Sequence, residues 1–248
     1  MITDILGVRF HNLTPAQAVD QLAEFLTEQG FARTVVTPNP EIVMRALQDQ
    51  TYRDILNLSS LVLPDGIGIV IASRILGGGI RKRVAGIELV QALFLKLSAQ
   101  DRTHSVFLLG GKPGVAERAA HNLAQTYSGL RIAGTQDGYF DAKDEESIAW
   151  QIGQTKPDIL LVGLGFPKQE YFIDKHRAVL NAKVSIGCGG SLDVFAGTAV
   201  RAPLIFRKLG LEWFYRLIRQ PSRLWRMSSL PLFMLRVIWR KLTRGGNL

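Results

Sequence analysis

The sequence predicts an α/β protein: a mostly parallel sheet with helices on both faces, followed by a short helical C-terminal appendage. Three observations predict it. Short continuous apolar runs, such as "SVFLLG" (105–110) and "DILLVGLG" (158–165), read as strands buried on both sides. Amphipathic segments of helical period alternate with those runs, the pattern of βα units. The 248 residues are 47% hydrophobic and 21% charged, the composition of an ordinary folded chain.

The elements follow in order. Thr14 and Pro15 read as N-cap and first helical position of "PAQAVDQLAEFLTEQ", which Gly30 ends. Within it Ala18, Leu22, Phe25 and Leu26 share one helical face. The β-branched "TVVT" (34–37) is a strand, broken by "PNP" before the helical "EIVMRALQ". "LVLP" (61–64) is the next strand, with helices over 66–76 and "GIELVQALFLKLS". Then come strand "SVFLLG", helix "KPGVAERAAHNLAQTY", strand "LRIAGT", helix "EESIAWQIGQ", strand "DILLVGLG", helix "QEYFIDKHRAVL" and strand "VSIGCGG". The whole is Rossmann-like in its alternation, with no internal repeat.

Charge divides the chain near residue 200. Residues 201–248 hold 9 Arg and 2 Lys against the single acid Glu212, a net +10, whereas residues 1–200 carry −1. Residues 1–200 are therefore expected to form the catalytic α/β domain and 201–248 a basic, aromatic helical appendage. Pro221 and Pro231 are expected to cut that appendage into two or three short helices. Arg216 and Arg219, then Arg223 and Arg226, recur at i,i+3 spacing as cationic stripes, and Trp213, Phe214, Trp225, Phe233 and Trp239 supply apolar surface. Such a tail suits an anionic partner, a membrane surface or nucleic acid. Its mixture of Leu, Trp, Phe and Pro is too apolar for a nucleic-acid reader.

Several classes are disfavoured. No apolar stretch nears the roughly 20 residues of a membrane span. The start, "MITDILGVRF", lacks the basic region and apolar core of a signal peptide. The single cysteine, Cys188, permits no internal disulfide and no zinc cluster, so a cytoplasmic setting is expected. "GLGFPK" and "GCGGSL" miss the last glycine of a dinucleotide fingerprint, and "GGKP" is not a P-loop. The four histidines are scattered and no Asp-x-Asp occurs, so no metal site is expected.

In open α/β sheets, ligands bind where the strand-to-helix loops emerge. Those loops hold Thr37 and Asn39; Asp65; Gly110 and Gly111; Asp137, Gly138 and Tyr139; Lys168 and Gln169; and Gly189, Gly190 and Asp193. Asp65 either caps the helix that begins at Gly66 or performs chemistry at a strand tip. Thr37 and Asn39 are turn residues or ligand contacts. The glycine pairs are either tight turns or places where backbone approaches a diphosphate. Cys188 reads as a small buried hydrophobe.

Together the segments "TPNPEIV", "LPDGIGIV", "RVAGIELV", "VFLLGGKPGVAE", "DGYF", "GLGFPKQE", "GGSLDVFAG" and "RAPLIFRKLGLEWFYRLIRQPSR" resemble the WecG/TagA/CpsF family of glycosyltransferases. The likeness runs, in order, to about residue 227. It implies an inverting, metal-independent enzyme that moves a sugar, most often N-acetylmannosamine, from a UDP-sugar to a polyprenyl-diphosphate-linked sugar. Donors of the UDP-glucose or UDP-uronic acid type are the alternatives within the family. The resemblance makes Asp65 the general base and Thr37, Asn39, Arg83 and Gln169 its active-site companions. It gives Arg216, Arg219, Arg223 and Arg226 to the membrane and the lipid acceptor. A UDP-sugar co-substrate, no cofactor, a peripheral location on the inner face of the plasma membrane and no nucleic acid follow. Homo-oligomer formation stays open.

Overall fold

The computed structural model describes residues 1–28, 30, 32–100, 103–208, 210, 212–219 and 229–244. Its centre is a six-stranded, all-parallel sheet in the order β4-β3-β8-β7-β5-β6. The strands are β3 (Arg33–Val36), β4 (Leu61–Val62), β5 (His104–Gly110), β6 (Leu130–Gln136), β7 (Ile159–Gly163) and β8 (Val184–Gly187). Successive side chains on a strand point to opposite faces, and the cores divide accordingly. Val35, Leu61, Val106, Leu108, Ile159 and Leu161 bury against one helical layer. Their neighbours Val36 and Val62, and Phe107, Leu109, Leu160 and Val162, bury against the other.

The first layer contains α1 (Pro15–Thr27), α5 (Gly86–Ser98), α6 (Val115–Thr126) and α9 (Ser191–Phe195). The second contains α2 (Pro40–Gln48), α3 (Gln50–Leu58), α4 (Ile67–Ile75), α7 (Glu145–Thr155) and α8 (Lys168–His176). Helix α1 begins as expected: Thr14 Oγ1 accepts Gln17 N–H and Gln17 Oε1 accepts Thr14 N–H, a reciprocal capping box.

Two elements were not read from the sequence. Residues 2–11 form an antiparallel hairpin, β1 (Ile2–Ile5) and β2 (Val8–His11), turning at Leu6 and Gly7 with φ of 53° and 90°. Positive φ at both turn residues matches the right-handed twist of the strands. Helix α3 follows α2 after a single residue, because the Asp49 side chain accepts Tyr52 N–H and restarts the helix.

The appendage departs from expectation at Pro231. Helices α10 (Leu204–Lys208) and α11 (Glu212–Arg219) are short, but the C-terminal helix, Ser229–Arg244, runs 16 residues through Pro231. That proline is the third helical residue, where the backbone N–H has no partner within the helix, so losing it costs nothing. Pro221 lies outside the described residues. The C-terminal helix lies across α2 and α4, with Phe233 and Val237 fully buried in the second core. Arg240 Nη2 donates to Asp4 Oδ1 at 3.2 Å, tying the same helix to the hairpin.

Candidate active site

All six parallel strands end on the same edge of the sheet, and that edge gathers the predicted site residues. Asp65 stands just past β4. Its N–H donates to Pro38 O at 3.1 Å, which seats it against the loop that holds Thr37 and Asn39. The N-cap position of α4 belongs to Gly66, one residue past Asp65. The loop before α5 closes over the same place. Val84 N–H donates to Pro64 O at 2.7 Å, and a Cβ on Gly86 would lie 3.0 Å from Thr37 Oγ1. Thr37, Asp65 and the Arg83–Gly86 segment thus form one cluster. Asn39 keeps a local duty: its Oδ1 accepts Ile42 N–H at 3.0 Å and caps α2.

Two strands over, at the ends of β7 and β8, a second cluster forms. Gln169 is buried, accepts Gly189 N–H through Oε1 at 3.0 Å and donates from Nε2 to Glu170 Oε1 at 2.7 Å. Gly190 opens α9, and Asp193 lies beyond it in the first turn of that helix. The Asp193 carbonyl accepts Thr198 and Ala199 N–H. Cys188 between them is buried, and burial, followed by the charge of Asp193, pushes its thiol up to about 12. Such a thiol carries no nucleophilic thiolate at neutral pH.

The third cluster lies at the ends of β5 and β6. Gly110 has φ +133°, and a Cβ there would sit 2.5 Å from the Gly163 carbonyl carbon and oxygen. Only glycine lets the β5 and β7 ends touch. Helix α6 leaves β5 toward one face and α8 leaves β7 toward the other, so the crevice of a doubly wound sheet opens between them. Gly138 N–H donates to Gly111 O at 2.9 Å, which brings the loop after β6 to that crevice. Asp137 Oδ1 is taken by Tyr139 N–H at 2.8 Å, and the Tyr139 ring is 68% exposed. Lys168 is exposed as well.

A sheet edge carrying an aspartate at one strand tip, a buried glutamine at another and glycine-built turns at the crevice matches more than a general α/β pattern. The profile of the glycosyl transferase WecG/TagA/CpsF family matches residues 3–247. The chain belongs to this family. Similar proteins include N-acetylglucosaminyldiphosphoundecaprenol N-acetyl-beta-D-mannosaminyltransferases from Staphylococcus aureus strains MRSA252, MW2 and NCTC 8325 / PS 47. Each is 42% identical over 235 residues, which is 94% of this chain and 91% of the relative.

Within this WecG/TagA/CpsF glycosyltransferase, the appendage reaches the site through ion pairs that sequence reasoning missed. Arg83 Nη1 meets Glu212 Oε2 at 3.0 Å, and its Nη2 donates to Arg207 O at 3.1 Å. Arg201 bridges Glu212 Oε1 at 3.3 Å and Glu88 Oε1 at 2.6 Å. Glu212 is the single acid among residues 201–248, a signal that composition did reveal but that the reading left unused. Glu170 was missed too, although its motif was read. Burial pushes its carboxyl up to about 7, hydrogen bonds from Gln169 and Tyr52 offsetting part of the rise. Arg223 and Arg226 lie outside the described residues, as do the side chains of Arg216 and Arg219. Among the described residues, no three His, Cys, Asp or Glu side chains gather as metal ligands.

Proposed function

We propose that the protein transfers N-acetylmannosamine from its UDP-sugar to N-acetylglucosamine carried on undecaprenyl diphosphate, with inversion and without a metal ion. The observation that carries this is the 42% identity, across 94% of the chain, to transferases named for that donor sugar and that lipid-linked acceptor. The geometry supports it. Asp65 takes the proton from the acceptor hydroxyl as its oxygen attacks the sugar C1. The C1–O bond to the diphosphate breaks on the opposite face, and UDP departs with the bonding pair. The charge gathering on UDP is met by backbone N–H groups at the crevice and by arginine.

Arg83 precedes Val84, whose N–H bonds Pro64 O beside Asp65, and its guanidinium already carries Glu212 and the Arg207 carbonyl. Recruiting it to the diphosphate therefore couples substrate binding to the seat of α11.

The lipid acceptor requires the enzyme to work at a membrane surface. No helix among the described residues is long and apolar enough to cross one. What supports peripheral contact is the outer side of the C-terminal helix. Leu232, Leu235, Trp239 and Leu242 repeat at helical spacing and are 45%, 64%, 65% and 69% exposed, opposite the buried Phe233 and Val237. Exposed Arg236 and Lys241 flank that stripe, and Trp213, Phe214 and Ile218 of α11 add exposed apolar surface. An anionic leaflet attracts each nearby basic residue by about 1 kcal/mol, and tryptophan suits the interface.

The test is a panel of UDP-sugars offered with a defined prenyl-diphosphate-linked N-acetylglucosamine. N-acetylmannosamine should be transferred fastest, in the configuration opposite to that of the donor, and at a rate unchanged by EDTA. Preference for UDP-glucose or a UDP-uronic acid would replace the donor assignment.

A further inference from the structure

Glu170 follows Gln169 directly, is 2% exposed and has no step in the transfer outlined above. Its oxygens are divided between two donors: Oε1 accepts Gln169 Nε2–H at 2.7 Å and Oε2 accepts Tyr52 Oη–H at 3.0 Å. Gln169 Oε1 accepts Gly189 N–H at 3.0 Å. An amide flipped in this place would set N–H against N–H and oxygen against oxygen, so the two contacts leave Gln169 one orientation.

The surroundings are shaped for this arrangement. A Cβ on Gly187 would lie 2.8 Å from Gln169 Nε2 and 3.3 Å from Glu170 Oε1, so the glycine at the end of β8 is what lets both side chains close over the strand. Tyr52 reaches in from α3, is fully buried and stacks on Tyr171 with ring centroids 5.8 Å apart. The Tyr171 hydroxyl in turn donates to Asp49 Oδ2 at 3.0 Å. The bonds to Glu170 and Gly189 use one of the two Nε2 hydrogens of Gln169 and one of the two lone pairs of its Oε1.

We propose that Glu170 is a positioning residue for glycosyl transfer, acting through Gln169: it locks that amide so that bound substrate meets the same N–H and lone pair at every turnover. The proposal rests on the transfer reading above and deepens it. Its test compares the wild type with Glu170→Ala, Glu170→Gln and Gly187→Ala. The readouts are kcat and KM for UDP-N-acetylmannosamine and the lipid-linked acceptor, thermal midpoints, and crystal structures with UDP. Glu170→Ala and Gly187→Ala should each lose about tenfold or more in kcat per folded molecule, with the acceptor KM within about twofold, as expected for a misplaced contact. Glu170→Gln keeps an acceptor for Gln169 and a partner for Tyr52, so it should stay within about threefold of wild type.

In the structures of the two impaired variants, Gln169 should have left Gly189 N–H. Wild-type kcat in Glu170→Ala, a Glu170→Gln variant as impaired as Glu170→Ala, or an unmoved Gln169 would each overturn the assignment. If Glu170→Ala does not fold, Gly187→Ala carries the kinetic comparison. A wild type that transfers no sugar would instead remove the transfer reading. The variant structures would then still decide whether Glu170 sets Gln169.

Discussion

In the proposed mechanism, Asp65 is the residue on which the chemistry turns. Its backbone is fixed to Pro38, its loop is roofed by Val84, and Gly66 rather than Asp65 occupies the N-cap of α4. Asparagine keeps the shape and hydrogen-bonding reach of the side chain while removing its charge, so the substitution should affect turnover far more than folding. Asp65→Asn is expected to lower kcat by about 10²-fold or more, with the thermal midpoint and UDP affinity by calorimetry close to wild type. Glu170 makes the complementary prediction. Its folded-state value of about 7 lies above the ordinary 4.5, because burial disfavours the charged form. The native state thus holds the proton more tightly, and the stability this contributes is complete below about pH 4.5 and lost as pH rises through 7, an upper bound of about 3 kcal/mol. Glu170→Gln cannot ionise, so its thermal midpoint relative to wild type should rise between pH 5 and pH 8. A difference independent of pH would show that the carboxyl does not titrate there.

The strand-to-helix turns are the elements that bring the site together. Gly110→Ala forces a Cβ to 2.5 Å from Gly163 backbone atoms at a φ of +133°, and should cost more than about 1 kcal/mol in urea unfolding. The clasp between body and appendage is equally testable. Glu212→Gln weakens the hold on Arg83 and Arg201, and faster limited proteolysis between residues 200 and 220 should report it. Such turns were legible in the sequence because apolar runs end on Gly, Pro, Asn or Asp, and those endings placed Thr37, Asp65, Gly110 and Gly189 on one edge. The hairpin was not, because the positive φ of Leu6 has no compositional signal and four-residue strands are too short for a period to emerge. Helix α3 went unread because one aspartate does the work of both ending α2 and starting α3. The pairings of Glu170 and Glu212 were illegible for a different reason: their partners Tyr52 and Arg83 lie 118 and 129 residues away, and local spacing carries no trace of them, although composition singled out Glu212 itself.

At the scale of the whole molecule, a tail of net +10 is held to a nearly neutral body partly by its own C-terminal helix, which has two apolar faces, one docked and one exposed. The docked face predicts that Phe233→Asp, which buries a carboxylate in the second core, destabilises the fold by about 3 kcal/mol or more. The exposed face predicts sedimentation with anionic vesicles that weakens with salt and is reduced by Trp239→Glu. The first follows from burial alone, and the second from the proposed transfer to a lipid-linked acceptor. The most direct measurement is transfer from UDP-N-acetylmannosamine to prenyl-diphosphate-linked N-acetylglucosamine, followed in parallel for the wild type and Asp65→Asn. The account predicts an inverted disaccharide product from the wild type and about a hundredfold slower formation by the folded variant. Wild-type turnover by Asp65→Asn, or no product from the wild type, would contradict it.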